Sequence, residues 1–171
     1  LPEHLAKLEA YAIEHEVPII RREAQSLLKF FLELKQPKRI LEVGTAIGFS
    51  ASLLCEYMPS DCHLTTIEKV PMRIVEAEKN LAALERNRDI TFLTGDAEEV
   101  LKNLKEQGNQ YDFVFMDAAK AQYMSFLTHI LPMLPSGALL ITDNVLQEGS
   151  IVESKYSITR RDRTIHMRMR E

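Results

Sequence analysis

Apolar residues recur at helical spacing over the first 36 residues of the chain. The first stripe consists of Leu1, Leu5, Leu8 and Ala12. The second consists of Ala24, Leu27, Leu28, Phe31 and Leu34. Residues three and four positions apart lie on one face of a helix, so both stripes predict amphipathic helices. Pro18 lies between the stripes and breaks helical continuity, which predicts two helices rather than one.

The pattern changes after residue 36, where short apolar runs alternate with helical stripes. Five runs are strand-like, at residues 39–43, 63–67, 90–93, 111–116 and 138–142. The helical stripes between them carry the expected boundary residues: Pro71 and Asp96 at two starts, and Pro135 with Gly137 after a third. This alternation predicts an α/β fold with a doubly wound, mostly parallel sheet and helices on both faces. The two N-terminal helices are additional to that core.

The length and composition of the chain are those of a single globular domain. The chain has 171 residues, of which 46% are apolar, and we expect a single domain. It divides into an N-terminal helical cap (1–36), a core (37–146) and a basic C-terminal segment (147–171). No apolar run approaches the roughly 18 residues of a membrane span, and the acidic start is unlike a signal peptide. Cys55 and Cys62 lack the spacing of a zinc or redox motif, which predicts reduced thiols in the cytoplasm.

Polar residues, together with one glycine, lie at the carboxyl end of every predicted strand. The residues concerned are Glu42 and Gly44, Glu68, Asp96, Asp117, and Asp143 with Asn144. In open α/β sheets, ligands bind in the crevice outside the carboxyl ends of the strands. Any one acid here is compatible with a helix cap or a loop residue, but six polar positions on one rim favour a binding site.

The glycine-containing run EVGTAIGFS follows the first strand and opens a helix. Backbone N–H groups at such a helix start face the crevice. The run departs from G-x-G-x-x-G, because Ala46 takes the middle position, and close packing is the alternative explanation for its glycines. Glu68 favours a cofactor, because a carboxylate at the end of the second strand can accept hydrogen bonds from a ribose diol. Together these features predict an adenosyl cofactor.

Three oxygen-bearing side chains follow the last two strands. The carboxylates of Asp117 and Asp143 and the amide of Asn144 are hard ligands that suit a divalent cation such as Mg²⁺. The alternative is an Asx turn at Asp143 and Asn144. Lys120 follows Asp117 closely; a neighbouring cation favours the neutral amine and makes this lysine a candidate base, although a surface lysine is the commoner case.

These residues resemble those of a known family. The runs ILEVGTAIGFSA, YDFVFMDAAK and LLITDNVL resemble class I S-adenosylmethionine-dependent methyltransferases, which have a Rossmann-like fold. Within that class they are similar to the cation-dependent O-methyltransferases, which include catechol and caffeoyl-CoA O-methyltransferases. The resemblance implies that S-adenosylmethionine is bound by Ile20, Glu42, Gly44, Ser50, Glu68, Asp96, Ala97 and Asp117. It implies that Mg²⁺ or a similar cation is bound by Asp117, Asp143 and Asn144. Catalysis would then fall to Lys120 as the base, beside Asp117.

A narrower resemblance concerns the acceptor. The run EHEVPII and the C-terminal run are similar to a bacterial branch that methylates 5-hydroxyuridine at the wobble position of transfer RNA. The chain carries a net charge of −4, yet residues 155–170 contain six basic residues and one acid. Phosphate contacts by arginine and lysine supply much of RNA affinity, so Arg160, Arg161 and Arg163 are candidate RNA-binding residues. A solvated helix face is the alternative explanation for the charge.

Two other functions stay open at this point. One is the same reaction on a small catechol-like metabolite, and the other is a non-catalytic module that binds S-adenosylmethionine. Relatives in the resembled family are often homodimers, which predicts a homodimer here. They also continue into a final antiparallel strand pair at the sheet edge, which is missing from this sequence, so a truncated chain is expected.

Overall fold

The structure is a computed structural model that describes residues 1–145. Six helices in this range are α1 (Glu3–Glu14), α2 (Arg22–Lys35), α3 (Phe49–Tyr57), α4 (Pro71–Ala82), α5 (Ala97–Glu106) and α6 (Tyr123–Ile130). Five strands are β1 (Arg39–Val43), β2 (His63–Glu68), β3 (Ile90–Thr94), β4 (Phe113–Met116) and β5 (Leu139–Thr142). Short 3-10 helices lie at Asn87–Asp89, Lys120–Gln122 and Leu131–Met133. The basic segment 147–171, with the candidate RNA-binding residues Arg160, Arg161 and Arg163, lies outside the described residues.

The five strands form one parallel sheet in the order β3-β2-β1-β4-β5. The chain runs outward from β1 to β3 and then returns to the other side of β1 for β4 and β5. The strand order therefore reverses between β1 and β4, which is where ligands bind in open α/β sheets. The predicted doubly wound, Rossmann-like sheet is confirmed, and the strands that precede Asp117 and Asp143 are neighbours in it.

Helices cover both faces of the sheet, and each face has its own apolar core. Side chains of α1 to α4 pack with Ile40, Leu64 and Phe113 on one face. Side chains of α5 and α6 pack with Leu41 and Val114 on the other. Neighbouring residues along a strand point to opposite faces, which explains why these strands read as continuous apolar runs.

Helix α2 buries only part of its predicted apolar stripe: Ala24, Leu28 and Phe31 pack in the first core. Gln25, Leu28 and Leu32 are buried, whereas Leu27 and Leu34 of the predicted stripe are exposed. Apolar residues cover more of this helix than one packing face needs, so the stripe alone does not define the contact. The inward face is centred on Leu28 and Leu32 because these two residues pack with the helices and sheet of the first core.

The strand boundaries shift by one or two residues from the prediction. The fourth strand begins at Phe113 rather than at Tyr111. Tyr111 precedes the strand, but it is buried and its backbone N–H donates to the carbonyl of Met133. A buried aromatic residue in the preceding loop therefore extends the apolar run, and the sequence pattern makes the strand look longer than it is.

Both cysteines are buried and free, as expected for thiols that take part in no disulfide. Burial raises the pKa of the Cys55 thiol to about 11 and that of the Cys62 thiol to about 12. These thiols are poor nucleophiles, since the thiolate is the reactive form. Among residues 1–145, none of the helices combines the length and apolar character that crossing a bilayer requires.

Candidate active site

A cavity of about 970 Å³ opens at the carboxyl ends of the strands. Its walls come from the lip (residues 17–21, between α1 and α2), the glycine loop (residues 44–48, between β1 and α3), and the segments that follow β2, β4 and β5. Most of the residues predicted for the site line this cavity: Ile20, Gly44, Ser50, Glu68, Asp117, Lys120, Asp143 and Asn144. Residues far apart in sequence thus meet at the point where the strand order reverses.

Three predicted cofactor residues are not among those that line the cavity. Glu42 lies within β1 and is fully buried. Asp96 caps α5 by accepting a hydrogen bond from the N–H of Glu98 at 3.0 Å, and Ala97 is the first residue of that helix. Asp96 also pairs with Lys69, a cavity residue, at 3.1 Å. The hydrogen bond from Lys69 lowers the pKa of Asp96. The binding of S-adenosylmethionine by Asp96 and Ala97 stays a prediction.

Glu68 organises the backbone around the cavity. Its Oε2 accepts a hydrogen bond from the N–H of Ala46 at 2.8 Å, and its Oε1 accepts from the N–H groups of Lys69 and Val70 at 2.9 Å each. A carboxylate offers about four acceptor positions, so these three bonds leave room for about one more. Glu68 can still accept one hydrogen bond, as from a ribose hydroxyl, but it also holds the glycine loop in place. This second role was not predictable from the acid's position at a strand end.

Gly44 allows the glycine loop to approach the end of β4. An added Cβ would lie 2.1 Å from the carbonyl oxygen of Asp117, and the residue has φ +105°. Any side chain would collide with the backbone there, and only glycine adopts this φ without strain. The glycine signal in the sequence therefore reflects contact between two parts of the site.

A buried polar cluster lies under the glycine loop. The hydroxyl of Thr66, on β2, donates to Oε2 of Glu42 and lies 2.6 Å from the hydroxyl of Thr45. Oε1 of Glu42 is buried without a hydrogen-bond partner among residues 1–145. Burial raises the pKa of Glu42 to about 7, against the opposing effect of the Ser50 and Thr66 hydroxyls. Such an unpaired carboxyl oxygen is suited to a positively charged or proton-bearing partner.

Asp117 and Asp143 lie side by side at the ends of adjacent strands. Met116 and Thr142, which precede them, are register partners, and the N–H of Asp143 donates to the carbonyl of Met116 at 3.0 Å. Neighbouring strands are about 4.8 Å apart. Burial raises the pKa of Asp117, and the charge of Asp143 raises it further, whereas that of Lys120 lowers it. Two acids this close favour a bound cation.

Asn144 completes this group in a left-handed conformation, with φ 58°. Its backbone N–H donates to Oδ1 of Asp143 at 2.6 Å, so Asp143 is partly engaged by its own loop. No three His, Cys, Asp or Glu side chains among residues 1–145 cluster as a metal site. A cation here would bind two carboxylates, an amide and ligands from outside the chain, a set that suits Mg²⁺.

Tyr123 ties the ends of the two strands together. Its hydroxyl lies 3.3 Å from the carbonyl oxygens of both Met116 and Asp143, and it accepts from the N–H of Ala118 at 3.4 Å. Burial raises the pKa of this phenol, so it stays neutral. Tyr123 was not predicted from the sequence, because its spacing from Phe126 and Ile130 is that of an ordinary core position on α6.

Lys120 begins the 3-10 helix Lys120–Gln122 and is half-buried in the cavity wall. Its effect on the pKa of Asp117 places its charge near the acid pair. Lys120 therefore places a side-chain amine in the same cavity wall as the acid pair.

The chain is similar to known O-methyltransferases. Residues 1–170 match the model of the O-methyltransferase family. The catechol O-methyltransferase of Niastella koreensis is 31% identical over 127 residues, which cover 74% of this chain. The chain spans between 58% and 64% of the length of the first curated relatives that it matches.

Solved structures with the same fold support this similarity. One is a Staphylococcus aureus protein provisionally assigned as a caffeoyl-CoA O-methyltransferase, at 34% identity and a TM-score of 0.86, covering 96% of this chain and 78% of that one. Another is the O-methyltransferase TomG of Streptomyces achromogenes, in complex with S-adenosylmethionine, at 27% identity and a TM-score of 0.85, covering 99% of this chain and 76% of that one.

Proposed function

Because the chain belongs to the O-methyltransferase family, we propose that it transfers the methyl group of S-adenosylmethionine to a hydroxyl oxygen, assisted by Mg²⁺ or a similar cation. The observation that carries this proposal is the shared cavity. Gly44 and Glu68, predicted for the cofactor, line it together with Asp117 and Asp143, predicted for the cation. The structure of TomG in complex with S-adenosylmethionine supports the choice of cofactor.

The proposed chemistry assigns a separate task to each part of the cavity. When bound, S-adenosylmethionine supplies an activated methyl group, and a divalent cation lowers the pKa of the acceptor hydroxyl. Asp117, Asp143 and Asn144 hold the cation. The charge of that cation would favour the neutral amine of Lys120, whose Nζ would accept the hydroxyl proton. The acceptor oxygen would take the methyl group, with S-adenosylhomocysteine as the leaving group. Alignment of the acceptor oxygen with the methyl carbon contributes much of the remaining rate.

The proposed acceptor carries two adjacent oxygens, which can chelate one cation. The positive charge of residues 155–170, within the basic segment, supports transfer RNA as the acceptor. In 5-hydroxyuridine at the wobble position, O4 and O5 are the two adjacent oxygens. The name of the Niastella relative supports a small catechol-like metabolite as the second candidate. A non-catalytic binding module has no need of the acid pair or of Lys120, so we favour an enzyme. The homodimer and the cytoplasmic location stay predictions.

The division of labour in the cavity is testable with two variants. Asp143→Ala removes a proposed cation ligand, so we expect turnover to fall at least 100-fold while the affinity for S-adenosylhomocysteine changes less than about threefold. Glu68→Gln weakens hydrogen bonding to the ribose, so we expect affinity to fall about tenfold. Glutamine is the smaller change, and its one oxygen can accept either from the N–H of Ala46 or from those of Lys69 and Val70, so part of the loss will reflect the glycine loop. The measurements are calorimetry and methyl transfer, each with and without Mg²⁺. Equal loss of affinity in both variants would refute the assignment.

A further inference from the structure

The lip is held by a buried side chain that lies outside the cavity. Gln25, on the first turns of α2, is only 6% exposed, although glutamine is mostly an exposed residue. Its Nε2 donates to the carbonyl of Ile20 at 3.1 Å and to Oε1 of Glu9 at 3.3 Å. Both partners are acceptors, so only the –NH₂ end of the amide satisfies them. Gln25 thus connects α1 to the backbone of the lip.

Glu9 fixes the other end of this connection. It lies on α1 with a side chain only 12% exposed, and it also pairs with Nη2 of Arg22 at 3.2 Å. The hydrogen bond from Arg22 lowers the pKa of Glu9, so the carboxylate is charged at neutral pH. Hydrogen bonds to a charged acceptor are stronger than neutral ones. The orientation of the Gln25 amide is therefore determined by α1 before any ligand binds.

We propose that Gln25 is a positioning residue that holds Ile20 of the lip against the bound cofactor, with Glu9 orienting its amide. This inference rests on the proposed function, because it requires the cofactor to occupy the cavity. Ile20 is buried and lines the cavity wall, and the Gln25 bond fixes its backbone rather than its side chain. A lip without this bond has more backbone freedom, which cofactor binding must then remove.

The expected signature is a change in cofactor affinity without a change in chemistry. In this proposal the lip makes the same contacts with the cofactor before and during methyl transfer. Weakening these contacts therefore lowers the affinity for the ground state and for the transition state equally. We expect Gln25→Met to raise both the dissociation constant of S-adenosylhomocysteine and the KM for S-adenosylmethionine roughly five- to tenfold. We expect kcat at saturating cofactor to stay within about twofold of the wild type. Hydrogen exchange at the amides of residues 19–21 should accelerate.

Matched variants separate positioning from general stability. Ser26→Ala removes a neighbouring bond from an exposed hydroxyl to the carbonyl of Arg22, and we expect unchanged affinity. Glu9→Gln keeps an acceptor for the Gln25 amide and should bind nearly as the wild type does, whereas Glu9→Ala should share the loss. Glu9→Ala combined with Gln25→Met should be no worse than Gln25→Met alone, since one connection is broken in both.

The outcomes are distinct for this inference and for the proposed function. Wild-type protein that fails to bind S-adenosylhomocysteine would overturn both. Wild-type binding together with equally tight binding by folded Gln25→Met would overturn only the positioning role, as would a fall in kcat at unchanged KM. If Gln25→Met does not fold, Glu9→Ala decides: weaker binding with normal kcat supports the inference, and wild-type affinity overturns it.

Discussion

At the scale of single residues, Glu42 is the least expected feature of the molecule. The side chain is inaccessible to solvent, and one of its oxygens lacks a partner among residues 1–145. Isolated carboxylates are strongly disfavoured in such surroundings. Burial accordingly raises the pKa of Glu42 to about 7, which means that the proton stays on the folded protein under conditions where the unfolded chain has lost it.

The raised pKa predicts a stability that depends on pH. The folded state binds more protons than the unfolded state between the ordinary glutamate pKa of 4.5 and about 7. Stability is therefore present below the lower value and is lost as pH rises through the higher one. The loss from this group between pH 4.5 and pH 8 is about 3 kcal/mol. We expect Glu42→Gln to unfold at higher temperature than the ligand-free wild type at pH 8, with the difference shrinking toward pH 5.

Thermal unfolding of both proteins across this pH range provides the measurement. Glu33→Gln, at an exposed position on α2, controls for the loss of one negative charge and should follow the wild type. Parallel curves for the wild type and Glu42→Gln would show that Glu42 carries no excess proton in the folded state.

At the scale of elements, the contact between the glycine loop and the end of β4 decides the shape of the cavity. Gly44 and Asp117 directly follow β1 and β4, between which the strand order reverses, and the backbone at Gly44 closely approaches the carbonyl of Asp117. The glycine loop, which is bonded to Glu68 through the N–H of Ala46, and the acid pair are therefore joined by one close backbone approach. Displacing the loop would disturb both together.

This contact predicts that Gly44→Ala is severely destabilising. Alanine would carry both the strain of a positive φ and a collision with the carbonyl of Asp117, and we expect a loss of roughly 3 kcal/mol or more. Gly108→Ala provides the control, because Gly108 also has a positive φ but nothing lies within 4 Å of its added Cβ. There we expect about 1 kcal/mol. Chemical denaturation measures both, and equal losses would mean that the collision is relieved without cost.

The sequence predicted those features of the elements that depend on local pattern. Parallel strands buried on both faces are continuous apolar runs, and their ends are marked by acids, so the sheet and Asp117, Asp143 and Glu68 were predictable. The bond from Gln25 to the lip and the tie through Tyr123 were not. Both depend on partners supplied by other elements, and neither residue departs from the pattern of its own helix.

At the scale of the whole molecule, three parts of the chain contribute to one cavity. The N-terminal cap supplies the lip, β1 and β2 supply the glycine loop and Glu68, and β4 and β5 supply the acid pair. The acid pair therefore lines the same cavity as the glycine loop and Glu68. The proposed role of residues 155–170 belongs to a different scale, because their charge would act on a large polyanion rather than on the reacting atoms.

Changing Arg160, Arg161 and Arg163 to glutamine therefore tests which acceptor the molecule serves. If transfer RNA is the acceptor, we expect its methylation at physiological salt to fall at least tenfold. The dependence of that rate on salt should also flatten, by a log–log slope of about 0.7 for each phosphate that the variant no longer neutralises. Methylation of a catechol should be unchanged, because a small neutral acceptor carries no phosphates for these arginines to neutralise.

A control must show whether an effect comes from the lower net charge or from the loss of positive charge at these three positions. Lys79, Arg88 and Lys102 are exposed and do not line the cavity, so their triple change to glutamine removes the same net charge elsewhere. We expect that control to leave the salt slope of RNA methylation nearly intact, since counterion release counts only charges in contact with phosphates. RNA methylation that survives the first triple change at both low and high salt would exclude the basic segment as an RNA contact. Activity on catechols alone would then make the small metabolite the acceptor.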